Sequence, residues 1–286
     1  MNKPFILLDM NNLCHISHYS MGQLSNDEKR TGVIFGVLKQ ILSLVRKFES
    51  RNLIFIWDSR KSFRKEICPT YKSNRNRNSN PEKDKERQVL YDQITELRRD
   101  VIPSLGFVNS FIQSGYEADD LIVKFIIDRP DKEHIVVSTD QDLYQILRTK
   151  VKIYNTIKKS FYTEHDFMKE FGGLDPINYR VIKCLTGCAS DNVQGINGVG
   201  EKTAVKYLKA EINNTPKFNA IKEGKSIVDF NEKLVYLPFK HEEVPIIKMI
   251  VKKNELTAKK FRHIFNMYSF ESFMKEFPTW EKHFGL

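Results

Sequence analysis

Cysteine is scarce in this 286-residue chain. Its four thiols, Cys14, Cys68, Cys184 and Cys188, lack the dense spacing of a disulfide framework, so reduced thiols in a cytosolic setting are expected. Cys184 and Cys188 stand four positions apart, but no second Cys/His pair lies near enough to read as a zinc motif. Long apolar runs are also missing. The opening MNKPFILLDMNN holds a short apolar stretch that Asp9 interrupts, which excludes a signal h-region and a membrane span there. Acidic charge is in deficit: 36 Asp+Glu against 46 Lys+Arg leave a net +10, and the pI of about 9.2 implies a polyanionic partner. At 41% apolar residues the chain can bury a substantial core, as two domains or one large one.

The positive charge is concentrated. Arg60 to Arg99 carries twelve basic and six acidic side chains, +6 of the +10. Its middle, Tyr71 to Pro81, is almost free of aliphatic residues and reads as a mobile cationic excursion.

Against this background the acids are placed with unusual economy. Phe5–Asp9, Leu53–Asp58 and Ile135–Asp140 are short apolar runs that each close on an aspartate. Such runs suit parallel strands buried on both faces, and the helix-like stretches between them imply an α/β layer fold with a mainly parallel sheet. Ligands of such sheets bind beyond the carboxyl ends of the strands, where Asp9, Asp58 and Asp140 would meet. Asp142 follows one turn later, and Glu117, Asp119 and Asp120 crowd the start of an apolar helix in Gly115-Tyr-Glu-Ala-Asp-Asp-Leu-Ile122. Adjacent carboxylates repel, so a hard divalent cation is expected among them.

Two such ions can clamp the attacking and leaving oxygens of a phosphoryl displacement, while Arg64, Lys72, Arg75 and Arg77 hold the phosphodiester backbone. Tyr71 beside Lys72 offers a ring either for a nucleobase to stack on or for anchoring the loop. Downstream, Gly195-Ile-Asn-Gly198-Val-Gly200-Glu-Lys202-Thr-Ala-Val-Lys206 spaces glycines for a tight turn before a helix. Its amides can hold a phosphate without reading sequence, and Lys202 and Lys206 add charge to one face.

Together, Phe63-Arg-Lys-Glu66, Pro69-Thr-Tyr-Lys-Ser-Asn-Arg75, GYEADD, STDQD and SDNVQGINGVGEKTA resemble the 5′-nuclease family, the 5′→3′ exonucleases and flap endonucleases of bacteriophages and of the N-terminal part of bacterial DNA polymerase I. The likeness runs from Asp9 to about Leu208. It implies a PIN-like α/β nuclease domain over 1–172 with a helical arch at about 61–95, and a helical DNA-binding domain over 173–286 with a helix–hairpin–helix at about 189–208. It places Asp9, Asp58, Glu117, Asp119 and Asp120 in a first metal cluster, and Asp140, Asp142 and Asp191 in a second. Lys72 and Arg64 would contact the scissile phosphate, with Tyr71 stacking nearby, and Asp119 would be essential to catalysis. The implied cofactors are two Mg²⁺ ions, replaceable by Mn²⁺, and K⁺ at the hairpin. The implied partner is DNA with a single-stranded 5′ end or flap, RNA–DNA included, and replication proteins are candidate partners. A stand-alone phage-type monomer in the host cytoplasm is the simplest expectation.

One position departs from the pattern. The family's Gly-Asp-x-x-Asp-Asn reads Gly187-Cys188-Ala-Ser-Asp191-Asn192 here, so a thiol replaces a carboxylate. A neutral thiol is a poor Mg²⁺ ligand, which implies a weaker second site. The alternative is a DNA-binding protein of the same fold with a degenerate nuclease site. In the tail, Ile246–Val251, Phe261–Met267 and Phe270–Phe277 read as amphipathic helices, their aromatics as core.

Overall fold

The computed structural model describes residues 3–26, 29–76 and 80–286, positions 75 and 76 by backbone alone. The chain runs through β1 (Phe5–Asp9), α1 (Met10–Met21), α2 (Gly32–Phe48), β2 (Leu53–Ile56), α3 (Arg64–Ile67), α4 (Pro81–Glu96) and β3 (Ser110–Phe111). It continues through α5 (Ala118–Ile127), β4 (His134–Val137), β5 (Val151–Asn155), β6 (Ser160–Tyr162), α6 (Tyr179–Thr186), α7 (Glu201–Leu208) and α8 (Lys225–Val235). Near the end come α9 (Ala258–Met267) and α10 (Phe277–Phe284). The main sheet has the order β3-β2-β1-β4-β5-β6, parallel except for the β5–β6 pair.

Strand order reverses about β1, which opens a crevice at the carboxyl edge. Register then gathers the aspartates there. Asp9 pairs with Ile56 and Leu8 with Val137, so the residues just past β2 and β4 emerge beside the end of β1.

Alternation along the buried strands builds two cores. Ile6, Leu8, Leu53, Phe55, Ile135 and Val137 face α1, α2 and the C-terminal helices; Leu7, Ile54, Ile56 and Val136 face α5, the helices between 164 and 235, and the non-helical Phe239 and Met249. Residues after 172 enter both cores; in the first, the aromatic faces of α9 and α10 need an apolar partner and find α2. Phe35 stacks on Phe273 at 4.5 Å between ring centroids, and Phe265 meets Trp280 at 4.9 Å.

The part of the cationic segment that follows Tyr71–Pro81 is packed: α4 starts at a Pro with Asn80 as its N-cap, and Leu90 and Ile94 are buried, while residues 77–79 of the expected excursion lie outside the described residues. Arg30 grips both oxygens of Glu86 at 2.8 and 2.7 Å. Residues 246–251 form no helix. The segment lies extended along the edge strand β3, held by Asn109, which exchanges hydrogen bonds of 2.8 Å with the Lys252 backbone, and by Gln113, which bonds to the Pro245 and Ile247 backbone. Covering an edge strand in this way blocks pairing with another chain.

Candidate active site

The crevice at the end of β1 is built from Asp9 outward. Asp9 caps α1 by accepting from the Asn12 amide at 3.1 Å, and its other oxygen accepts from the Ser138 hydroxyl at 2.8 Å. Asp58 reaches across to the start of α5, where its Oδ1 accepts from the Ala118 amide at 2.7 Å. Asp140 caps the next turn by accepting from the Asp142 amide at 2.8 Å. Gly115 holds the left-handed backbone (φ +90°) from which Glu117 and Asp119 turn into the crevice; a Cβ there would sit 2.1 Å from the Phe63 ring.

Electrostatics mark the crevice as short of cations. Burial and then Asp58 and Asp140 push the Asp9 carboxyl up to about 7. Asp140 is pushed up to about 6 by burial, Asp142 and Asp191. Burial, then Asp140, Asp9 and Asp58, hold Asp119 well above the ordinary carboxylate range. Glu117 behaves oppositely. Burial would raise it, but Lys72 at 2.8 Å and Arg64 outweigh burial and lower it. Lys72 spans both acid groups, its ammonium 3.8 Å from Asp191 as well, and its amide donates to the Asp191 carbonyl at 2.8 Å. Asp142 pairs with Lys183 at 2.8 Å. Asp142, Cys188 and Asp191 bring one ligand atom each to within 4.8 Å of one another.

Seven of the eight sequence-derived metal candidates thus gather at this edge: Asp9, Asp58, Glu117, Asp119, Asp140, Asp142 and Asp191. Asp120 does not. It is fully buried, and its two oxygens accept from Arg64 at 2.7 and 2.8 Å, from the Glu117 amide at 3.0 Å and from the Phe239 amide at 2.7 Å. Four bonds fill the acceptor capacity of a carboxylate, leaving none for a metal. Arg64 is withdrawn by the same pair: 2% exposed, it spends its third donor on the Leu234 carbonyl at 2.8 Å and cannot meet a phosphate in this arrangement. Of the two readings of Tyr71, the anchoring one fits its surroundings. Its ring is buried with Cys184, Val193 and Leu234, and its hydroxyl lies 3.2 Å from both Glu117 and Asp191, so it anchors the loop and no base can stack on it here.

Arg75 is described only as backbone in the turn Ser73–Asn76, and Arg77 lies outside the described residues. Gly198 and Gly200 are exposed at the start of α7, with Lys202 and Lys206 one turn apart on its outer face, while Ile196 and Val199 fasten the hairpin into the second core. Sequence reasoning missed Asn11, whose side chain accepts from the Asp58 amide at 3.1 Å, and Asn12, which bonds Thr139 at 2.7 Å. It also missed Ser138 and Lys183. Asn11, Asn12, Ser138 and Thr139 all lie within three positions of Asp9 or Asp140, and that nearness was the available signal.

A mainly parallel sheet with carboxylates massed on its carboxyl edge, packed against a glycine hairpin, defines an α/β core with a candidate metal-dependent active site. The chain belongs to the 5′-3′ exonuclease family: the family model described as 5′-3′ exonuclease, N-terminal resolvase-like domain, matches residues 4–172. It is similar to the 5′-3′ exonuclease of Buchnera aphidicola subsp. Schizaphis graminum, 30% identical over 252 residues that cover 86% of this chain and 80% of the relative. DNA polymerase I of Mycobacterium leprae is 30% identical over 218 residues, 72% of this chain but 23% of the polymerase. Among solved structures, the bacteriophage T5 flap endonuclease in complex with DNA and metal ions has a TM-score of 0.68 at 20% identity, over 81% of this chain and 88% of that one. The last likeness speaks for the fold; the sequence relatives carry the activity, that of a 5′-3′ exonuclease.

Proposed function

We propose that the enzyme cuts in a structure-specific way, hydrolysing phosphodiesters at or near 5′ ends of DNA on flaps, nicks and RNA primers. The observation that carries this reading is the crowd of Asp9, Asp119 and Asp140, whose raised carboxyls call for a divalent cation. These groups fit Mg²⁺, which takes oxygen ligands and is commonly held by few carboxylates. Asp9, Asp58, Glu117 and Asp119 would hold one ion, and Asp140, Asp142 and Asp191 a second; Mn²⁺ can replace either. Bound there, the pair would supply Lewis-acid stabilisation of the attacking and leaving oxygens.

The chain's own side chains do the rest. Lys72, reaching both acid groups, is the cation placed to neutralise charge that develops on the phosphate. Ser138 and Ala118 fix the orientation of Asp9 and Asp58 by hydrogen bonds. Arg64 and Asp120 act beneath the site, as a rigid floor that aims Glu117. Gly198, Gly200, Lys202 and Lys206, with K⁺ on the hairpin carbonyls, would grip the duplex backbone, and Arg75 and Arg77 the single strand.

A 3′-labelled duplex with a 5′ flap, beside a blunt control, tests this. Mg²⁺ should give cleavage at the flap junction and EDTA none. Equal cutting of the blunt control, or cutting in EDTA, would remove the structure-specific, metal-dependent reading. Asp119→Asn should bind the duplex and fail to cut.

A further inference from the structure

We propose that Asp142, Cys188 and Asp191 form a mixed sulfur–oxygen site that takes a thiophilic divalent cation, Zn²⁺ above all, through the Cys188 thiolate. The proposal replaces Mg²⁺ by a softer ion at the second metal position of the nuclease reading, and rests on that reading for any catalytic consequence. The three ligand atoms lie within 4.8 Å of one another, so small side-chain rotations bring them to zinc bond lengths of about 2.0–2.3 Å. Together with Asp119, Asp140 and Lys72 they line a cavity of about 20 Å³, room for a single water-sized occupant.

The ligands are held where they stand. Cys188 pairs with Val193 in a two-residue hairpin. Asn192 closes that hairpin in a left-handed conformation (φ +58°) and ties it to the Thr70 carbonyl at 2.9 Å. Asp191 is steadied by the Tyr71 hydroxyl at 3.2 Å. Lys183 occupies Oδ1 of Asp142 at 2.8 Å and leaves Oδ2 for a metal.

Three protein ligands leave one position of a tetrahedral ion open, as in catalytic zinc sites. An all-oxygen set would favour Mg²⁺, and one sulfur shifts the preference towards softer ions. As the Sγ–metal bond forms, the thiol proton passes to solvent, and no oxidation is involved.

Cobalt(II) added to the metal-free protein is the direct probe. A sulfur-to-cobalt charge-transfer absorption should appear in the parent and in Cys68→Ser, and vanish in Cys188→Ser. By calorimetry, Zn²⁺ should bind Cys188→Ser at least about tenfold more weakly than the parent. Asp191→Asn should weaken Zn²⁺ while keeping the sulfur absorption, which separates ligand loss from misfolding. No absorption in the parent, or an absorption that survives Cys188→Ser, would overturn the proposal. Flap cleavage run in parallel separates the two readings. Absorption without cleavage keeps the sulfur site and removes the nuclease reading, whereas cleavage without absorption overturns the sulfur site alone.

Discussion

Asp119 and Asp120 are neighbours with the same side chain, and the helix geometry of α5 sends them to opposite fates. Asp120 is sealed against Arg64, and Asp119 is left among other carboxylates. Removing one partner of a buried pair strands the other charge, so Asp120→Asn should lose about 3–5 kcal/mol of stability in urea denaturation. Asp119→Asn should lose none, because it relieves repulsion. Equal stability loss in the two variants would refute the division. The same crowding sets a pH dependence for the metal-free protein. Carboxyls raised to about 7 at Asp9 and about 6 at Asp140 contribute stability that is fully present below their unfolded values and lost as pH rises through those raised values. The Tm without divalent ions should therefore fall between about pH 4 and pH 7 and level off above it. Saturating Mg²⁺ should abolish the fall and Asp9→Asn should reduce it; a metal-free Tm that rises across this window would count against it.

Among the elements, α2 shows how distant sequence completes a local structure. Its own N-cap, Thr31, makes no side-chain capping bond, and Gln93 on α4 supplies one by accepting from the Val33 amide at 3.0 Å. Gln93→Leu leaves buried amides unpaired, and chemical denaturation should show a cost of about 1–3 kcal/mol. Together with the Arg30–Glu86 pair, this bond explains why a segment so rich in charge is ordered as α4. The outer face of α7 makes a different kind of contact. If Lys202 and Lys206 each neutralise one phosphate, the Lys202→Ala/Lys206→Ala protein should lower the slope of log K against log salt for duplex binding by about two. An unchanged slope would take α7 out of the interface.

For the molecule as a whole, the last thirty residues belong to the core beneath the sheet. Trp280, 1% exposed, contacts Phe261, Phe265 and Phe273. Trp280→Ala should cost about 3–5 kcal/mol, read as a lower urea midpoint with far-UV structure retained. Strands that end in aspartate were legible because a two-faced buried strand must be continuously apolar and its end must leave the core. The sheet, the crevice and the strand-end acids Asp9, Asp58 and Asp140 followed from that pattern alone, as did the aromatic core of the tail. The extended path of 246–251 was not legible, since its partners Asn109 and Gln113 lie more than a hundred residues away. The same holds for the burial of Arg64, Tyr71 and Asp120. Local pattern states which side chains are charged and which face of an element is apolar. Whether a given charge meets a cation, a metal or another carboxylate depends on contacts between remote segments, and those exist only once the chain is folded.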